Sequence, residues 1–236
     1  MPDHTDTTDP NRFALGLYAH EVVRQCRIGL LAAEQLEHEV QWLQNALDME
    51  APAAAMTAEL RVTWGTDPSA LPRWLLGQPK YELRIMRVWA AAQALLVASA
   101  LVSRLLWPTV PKDRALRALT IRRGRALRKA LMVVHDSPLR SKELRDHIEH
   151  FDERLDEWVA AWVAGERSGH FMDDMFFVTT AAAPSDPPEN EMPWTIFRSL
   201  DGTQLIFGFK ERPFQLRGLI AALRDLLPRS QAMTAQ

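Results

Sequence analysis

A single cysteine, Cys26, leaves no partner for an intramolecular disulfide and no cysteine cluster for a zinc site. Neither a disulfide scaffold nor a zinc-stapled module is open to this chain, and a reducing compartment, the cytoplasm, is the expected setting. An excess of charge of one sign is also missing. With 28 Lys and Arg against 30 Asp and Glu, the formal net charge is −2, so any affinity for nucleic acid or an anionic membrane has to come from a local patch. No apolar run is long enough to span a bilayer. The most apolar stretch, Val88–Val102, lies between Arg87 and Arg104 and contains Gln93 and Ser99; it falls short of the roughly 20 residues a crossing needs and reads as a buried core helix, with no membrane partner expected. The opening MPDHTDTTDP lacks the basic start and apolar core of an export signal, and residues 1–11 read as a disordered lead-in. Glycine-rich phosphate loops, a GxSxG elbow and an HExxH helix are absent, which removes the signatures of the common nucleotide-binding, hydrolase and metalloprotease classes.

What is present is helical periodicity. At 47% hydrophobic residues the chain has enough apolar surface for a core. Phe13, Leu17, Leu31, Leu36, Val40, Leu43 and Leu47 recur at helical spacing and predict a helix over 12–49; Pro52, Pro68, Pro72 and Pro79 with Gly65 and Gly77 predict loops over 51–79, with short helical turns around Ala53–Leu60. A second helix is expected over 80–107, stopped by Pro108 and Pro111, and a third over 112–135. A fourth is expected over 138–164, with Ser137 as N-cap and Pro138 in the first turn. Met175–Thr180 is a short apolar run of ambiguous type, and Ala183–Pro193 is rich in proline. Thr195–Leu200 and Thr203–Phe209 flank Asp201-Gly202 as a two-residue hairpin, and Phe214–Leu227 reads as a closing helix. The expected fold is mainly α: a bundle of four long helices over 12–183, followed over 184–236 by a proline-rich linker, a small β-hairpin and a short helix packed on the bundle.

A bundle invites a di-iron centre, which needs Glu-x-x-His pairs, yet Gln35, Met132, Leu144 and His147 stand three residues before His38, His135, His147 and His150. None is a carboxylate, so no metal centre is expected. The densest polar cluster is Arg145-Asp146-His147-Ile148-Glu149-His150 on the fourth helix. It resembles the Arg-polar-x3-His motif of the HEPN superfamily, helical-bundle proteins many of which are metal-independent RNA endonucleases of toxin–antitoxin and antiviral systems; the resemblance covers the third and fourth helices. The motif's polar residue is commonly Asn, where this chain has Asp146.

That resemblance implies a catalytic set of Arg145, Asp146 and His150, a homodimer whose composite site forms where two such helices meet, RNA as substrate, an antitoxin protein as partner and no cofactor. His150 would act as general base or acid for attack of a 2′-hydroxyl on the adjacent phosphorus, Arg145 would stabilise the phosphorane-like charge, and Asp146, four residues from His150, would orient its ring. Because about 100° per residue places Leu144, Ile148, Phe151, Leu155 and Trp162 on one face, Asp146 and His150 point away from it. Arg114, Arg117, Arg122, Arg125, Arg128 and Lys129 fall mostly opposite Leu116, Leu119, Leu127, Leu131 and Val134 on the third helix, a stripe that either tracks phosphates or pairs with the acidic fourth helix. Trp89, Trp158 and Trp162 sit on apolar stripes and read as core. The alternative to a nuclease is a non-catalytic helical interaction protein, or an RNA- or nucleotide-binding one with a degenerate motif, whose mixed-charge helix face is simply solvated.

Overall fold

The structure, a computed structural model, describes residues 10–61, 79–141, 151–165, 170–172, 175–177, 194–196, 198–209 and 212–235. It is mainly helical: α1 (Pro10–Arg61), α2 (Pro79–Leu106), α3 (Arg114–Ala130), a 3-10 turn (Pro138–Arg140), α4 (Phe151–Val163) and a closing α5 (Leu216–Thr234). Among the described residues six short strands, β1 (His170–Met172), β2 (Met175–Phe177), β3 (Trp194–Ile196), β4 (Arg198–Asp201), β5 (Ile206–Phe209) and β6 (Arg212–Gln215), lie between α4 and α5. The chain divides into two compact units, one of Met1–Ala32, Ala94–Glu149 and Arg217–Gln236, the other of Ala33–Gln93 and His150–Leu216.

In the first unit, Ala19, Val22 and Cys26 of α1, Leu95, Leu96, Val102 and Leu106 of α2, Leu127 and Leu131 beside α3, and Leu219, Leu223 and Leu226 of α5 form the core. The α2 apolar stretch is the one described helix long and apolar enough to cross a membrane by length and composition, and half of that window is buried in the protein. At Gly29 α1 packs tightly on its neighbours: a Cβ there would stand 2.6 Å from Leu223 Cδ1 and 3.3 Å from Ala98 Cβ. Asp113 caps α3, its carboxylate accepting from Leu116 N at 2.8 Å. Helix α3 ends at Ala130, short of the expected His135. Val133 N donates to Arg128 O and Met132 N to Lys129 O, with Met132 at φ 49°. That is the double-bonded left-handed helix stop, built here without the glycine that usually signals it.

Proline proves a weaker stop than expected. Helix α1 runs through Pro52 to Arg61, where a loop was predicted; Ala53–Ala55, Met56 and Ala58–Leu60 are mostly strong helix formers, which offsets much of a cost of about 3 kcal/mol. Helix α5 likewise passes Pro228 to Thr234 instead of ending at Leu227. There Ser230 is fully buried and bonds Leu226 O at 3.0 Å, and Arg229 donates to Leu131 O and Met132 O, both at 2.8 Å, while pairing with Asp225. The reverse correction applies at Pro138. Ser137 does cap, accepting from Leu139 N, but only a 3-10 turn follows, and Ser141 leaves helical geometry at ψ 113°, so the fourth helix does not open at Pro138.

In the second unit, Leu36, Val40 and Leu43 of α1 and Tyr81, Val88 and Ala92 of α2 are buried, as are Leu200, Leu205 and Phe207 of the sheet region. The sheet order is β2-β4-β5-β6, with β2 parallel to β4 and the other pairs antiparallel; β1 and β3 form a separate parallel pair. The expected turn at Asp201-Gly202 is displaced: Asp201 pairs with Ile206, leaving a loop over Gly202, Thr203, Gln204 and Leu205. A two-residue turn would set Leu200 opposite Thr203, whereas the observed register sets it opposite Phe207 and joins two buried side chains. Asp201 instead holds the loop, its carboxylate accepting from Gln204 N at 2.9 Å. Phe214, expected in the closing helix, lies in β6 opposite Phe207. An edge contact between Trp89 and Phe207, centroids 6.2 Å apart, seats the sheet on α2.

A Cβ at Gly124 would lie 2.6 Å from Pro108 Cδ and 2.9 Å from Leu106 O. Gly124→Ala should therefore lower the unfolding free energy by about 1–3 kcal/mol despite alanine's better helix propensity. Met132, 67% exposed at positive φ, has little packing to give up on replacement, and Met132→Gly should raise stability by about 0.5–1 kcal/mol. Urea unfolding of the two variants checks both signs.

Candidate functional site

The motif residues Arg145, Asp146 and His150 lie outside the described residues. Helix α4 follows directly from Phe151, and its apolar face is more open than expected: Val159 is 44% exposed and Trp162 52%, so Trp162 is not a core residue. Trp158 and Trp89 are half-buried.

The basic residues of α3 are described, and the helix sorts them by angle. At about 100° per residue, Arg114, Arg117, Arg122, Arg125, Arg128 and Lys129 occupy an arc of roughly 140°, about 22 Å long. Arg128 stands near one edge of that arc and is turned to structural use. It donates to Leu106 O at the end of α2 and lies 5.6 Å over the Trp107 ring. Burial first, then the neighbouring Arg125 and Arg140, lower its pKa from the ordinary arginine value. Arg123, on the opposite side, donates to Arg104 O at 3.4 Å and stacks 4.8 Å over Tyr18. The other five, Arg114, Arg117, Arg122, Arg125 and Lys129, are exposed. Among the described residues none of these five pairs with a carboxylate; Arg122 bonds only Ala118 O of its own helix. The opposite edge is not the buried face expected throughout: Leu127 and Leu131 are fully buried, but Leu116, Leu119 and Val134 are 56%, 50% and 63% exposed. Beyond the helix, Arg140 donates to His135 Nδ1 at 2.8 Å, which makes Nδ1 the acceptor nitrogen of that ring.

Sequence reasoning missed a second polar centre, in the other unit. Glu39 is 1% exposed on α1 and accepts from Arg84 at 2.7 Å and from Gln35 at 2.7 Å, with Arg87 at 3.7 Å. The Arg84 guanidinium stacks 4.4 Å over Trp42, which meets Tyr81 edge-on. The available signal was a carboxylate on the same helical face as Leu36 and Leu43. The centre is closed by its own partners, so it reads as a clamp between α1 and α2. Among the described residues, no three of His, Cys, Asp and Glu gather as a metal site would require.

The chain matches no family model, no curated protein and no solved structure. The arrangement of residues alone therefore has to carry a functional reading.

Two outcomes follow. Arg84→Ala, which leaves the buried Glu39 to Gln35 and the looser Arg87 contact, should cost about 2–3 kcal/mol in chemical denaturation, and Arg84→Lys should recover only part of it because the fork and the stacked plane are gone. Cys26 is buried in the first unit and desolvation pushes its thiol up to about 12. Iodoacetamide at pH 8 should leave the native thiol unmodified and label it fully in urea, the pattern of a packing residue and not of a nucleophile.

Proposed function

We propose that this protein is an RNA-binding helical protein that cuts RNA without a metal, as an endoribonuclease of HEPN type in a toxin or antiviral role. The observation that carries the reading is the row of exposed cations on α3, Arg114, Arg117, Arg122, Arg125 and Lys129, with no carboxylate paired to them among the described residues. A solvated mixed-charge face would intersperse acids, and an intramolecular clamp would pair them, as Glu39 is paired. A one-sign row about 22 Å long on a chain of net charge −2 suits a linear polyanion.

Cleavage rests on the sequence motif. His150 takes the proton of a ribose 2′-hydroxyl, the 2′-oxygen attacks the adjacent phosphorus, and the 5′-oxygen leaves with the proton that the His150 imidazolium gives up. Arg145 stabilises the charge that builds on the non-bridging oxygens, and the products carry a 2′,3′-cyclic phosphate and a 5′-hydroxyl. The nucleophile belongs to the substrate, so the protein has only protons to move and charge to stabilise.

Labelled RNA incubated with the purified protein in EDTA tests both halves. His150→Ala should slow cutting by about 10²–10⁴-fold, and Arg145→Ala should abolish it. Arg117→Ala with Arg125→Ala should leave the cleavage chemistry unchanged at saturating RNA and weaken binding across sequences. The dependence of log K on log salt should flatten by close to one for each phosphate no longer neutralised. RNA left intact in EDTA and in magnesium, with binding retained, would remove the nuclease and leave a non-catalytic RNA-binding protein; absence of both cutting and binding would leave an interaction protein.

A further inference from the structure

The first half of α1 carries an outward row that its own unit does not cover. Leu17, Glu21, Arg24, Ile28 and Leu31 follow one another at alternating spacings of four and three, which keeps them on one face of the helix. The face turned the other way, Ala19, Val22, Cys26 and Gly29, is buried. Along the row Leu17 is 56% exposed, Ile28 41% and Leu31 68%, with Arg24 exposed between them. Leu17, His20, Glu21, Arg24, Arg27 and Ile28 line an open furrow of about 510 Å³, all of it on this one helix. Leucine and isoleucine at such spacing on a solvent face form the seam of a helix–helix contact that lacks its second helix.

The two charges in the seam identify that helix. Glu21 and Arg24 sit at its middle, with apolar residues on either side. An antiparallel second copy of α1, related by a twofold axis midway between Glu21 and Arg24, brings each Glu21 opposite an Arg24. It sets Leu17 opposite Ile28 and Leu31 opposite the small Ala14. Every layer is then apolar against apolar or acid against base, repeated twice by the symmetry. A parallel copy would set Glu21 on Glu21 and Arg24 on Arg24, which like-charge repulsion disfavours. Glu21 Oε1 accepts from Gln25 Nε2 at 2.6 Å, but its Oε2 meets Arg24 only loosely, at 3.9 Å, which leaves that oxygen and the Arg24 guanidinium able to pair across an interface.

We infer that α1 is a homodimerisation helix that pairs with a second copy of itself, antiparallel, over Ala14–Leu31. The surface differs from the one implied by the HEPN resemblance, whose homodimer joins the fourth helices, and only an α1 interface responds to charge reversal at Glu21 and Arg24.

Sedimentation velocity on the full chain at micromolar concentrations reads the assembly, with circular dichroism to confirm that the variants fold; the substituted side chains project from the core. Wild type should sediment as a dimer. Glu21→Arg alone and Arg24→Glu alone should each raise the dissociation constant about tenfold or more, and the two together should restore it to within a few-fold of wild type. For orientation, Leu17→Cys mixed with Ile28→Cys should cross-link on oxidation, while Leu17→Cys by itself should not. A monomeric wild type, a dimer unchanged by the single charge reversals, or self-cross-linking of Leu17→Cys would overturn the proposal.

Discussion

The close approach of α3 to the end of α2 at Gly124 is the contact on which the arrangement of the first unit depends. Pro108 and the Leu106 carbonyl occupy the space where a side chain would stand, so only glycine lets the two backbones meet. The approach fixes how α3 is rotated about its own axis. With Gly124 turned toward α2, Leu127 and Leu131 fall into the core, and Arg123 and Arg128 come to the two flanks of the contact, where the last carbonyls of α2 have no partner within their own helix. Those carbonyls are also the negative end of the helix dipole, which favours a cation there. A rotation of one residue, about 100°, would carry Leu127 toward solvent and withdraw both guanidinium groups from Arg104 O and Leu106 O.

The same rotation decides what remains for a ligand. Once Gly124 and Leu127 face inward, Arg114, Arg122, Arg125 and Lys129 have to face outward, and Arg117, two turns before Gly124 on nearly the same stripe, is exposed as well. Such a row repels itself, and a protein of net charge −2 has acids enough to neutralise it. Among the described residues none pairs with the row, and several are used elsewhere: Asp225 on Arg229, Glu39 on Arg84 and Arg87, Asp113 on the backbone of α3, Asp201 on the backbone of its own loop. Self-repulsion on a surface helix is weak at cellular ionic strength, so the row costs little in stability, while a polyanion along it would gain from releasing counterions at each phosphate.

How much of this was legible depends on which physical term set each feature. The span of α2 could be read to within a residue because a long apolar period ends at Pro108, which cannot continue a helix. The stop of α3 was not legible. It rests on Met132 in a left-handed conformation, and nothing in a methionine announces that. Pro52 and Pro228 misled in the other direction: strong helix formers on one side, and Arg229 with buried Ser230 on the other, outweigh the loss of a single hydrogen bond. The hairpin was found, but its register was set by burial of Leu200, Leu205 and Phe207 and not by the turn preference of Asp-Gly. Of the candidate site, the basic row could be seen as a pattern. Which member is withdrawn from it could not, because that depends on where another helix runs out of hydrogen-bond partners.

That last point separates two uses of arginine. Arg128 and Arg123 close the end of α2, and Arg229 closes the turn after α3 by spanning the Leu131 and Met132 carbonyls while holding Asp225. The ends of α2 and α3 are thus each finished by the arginine of another helix, α2 by α3 and α3 by α5. Lysine cannot replace these, because one ammonium presents neither a planar group over Trp107 or Tyr18, as Arg128 and Arg123 do, nor a fork to carbonyls and a carboxylate at once, as Arg229 does. An arginine committed in this way is a poor phosphate ligand, since releasing Arg128 or Arg229 would strand the part-buried Leu106 or Leu131 carbonyl at a cost of about 1–3 kcal/mol. On the RNA-binding reading proposed above, α3 would hold a polyanion through the five cations that cap nothing, and not through the count of basic residues in its sequence.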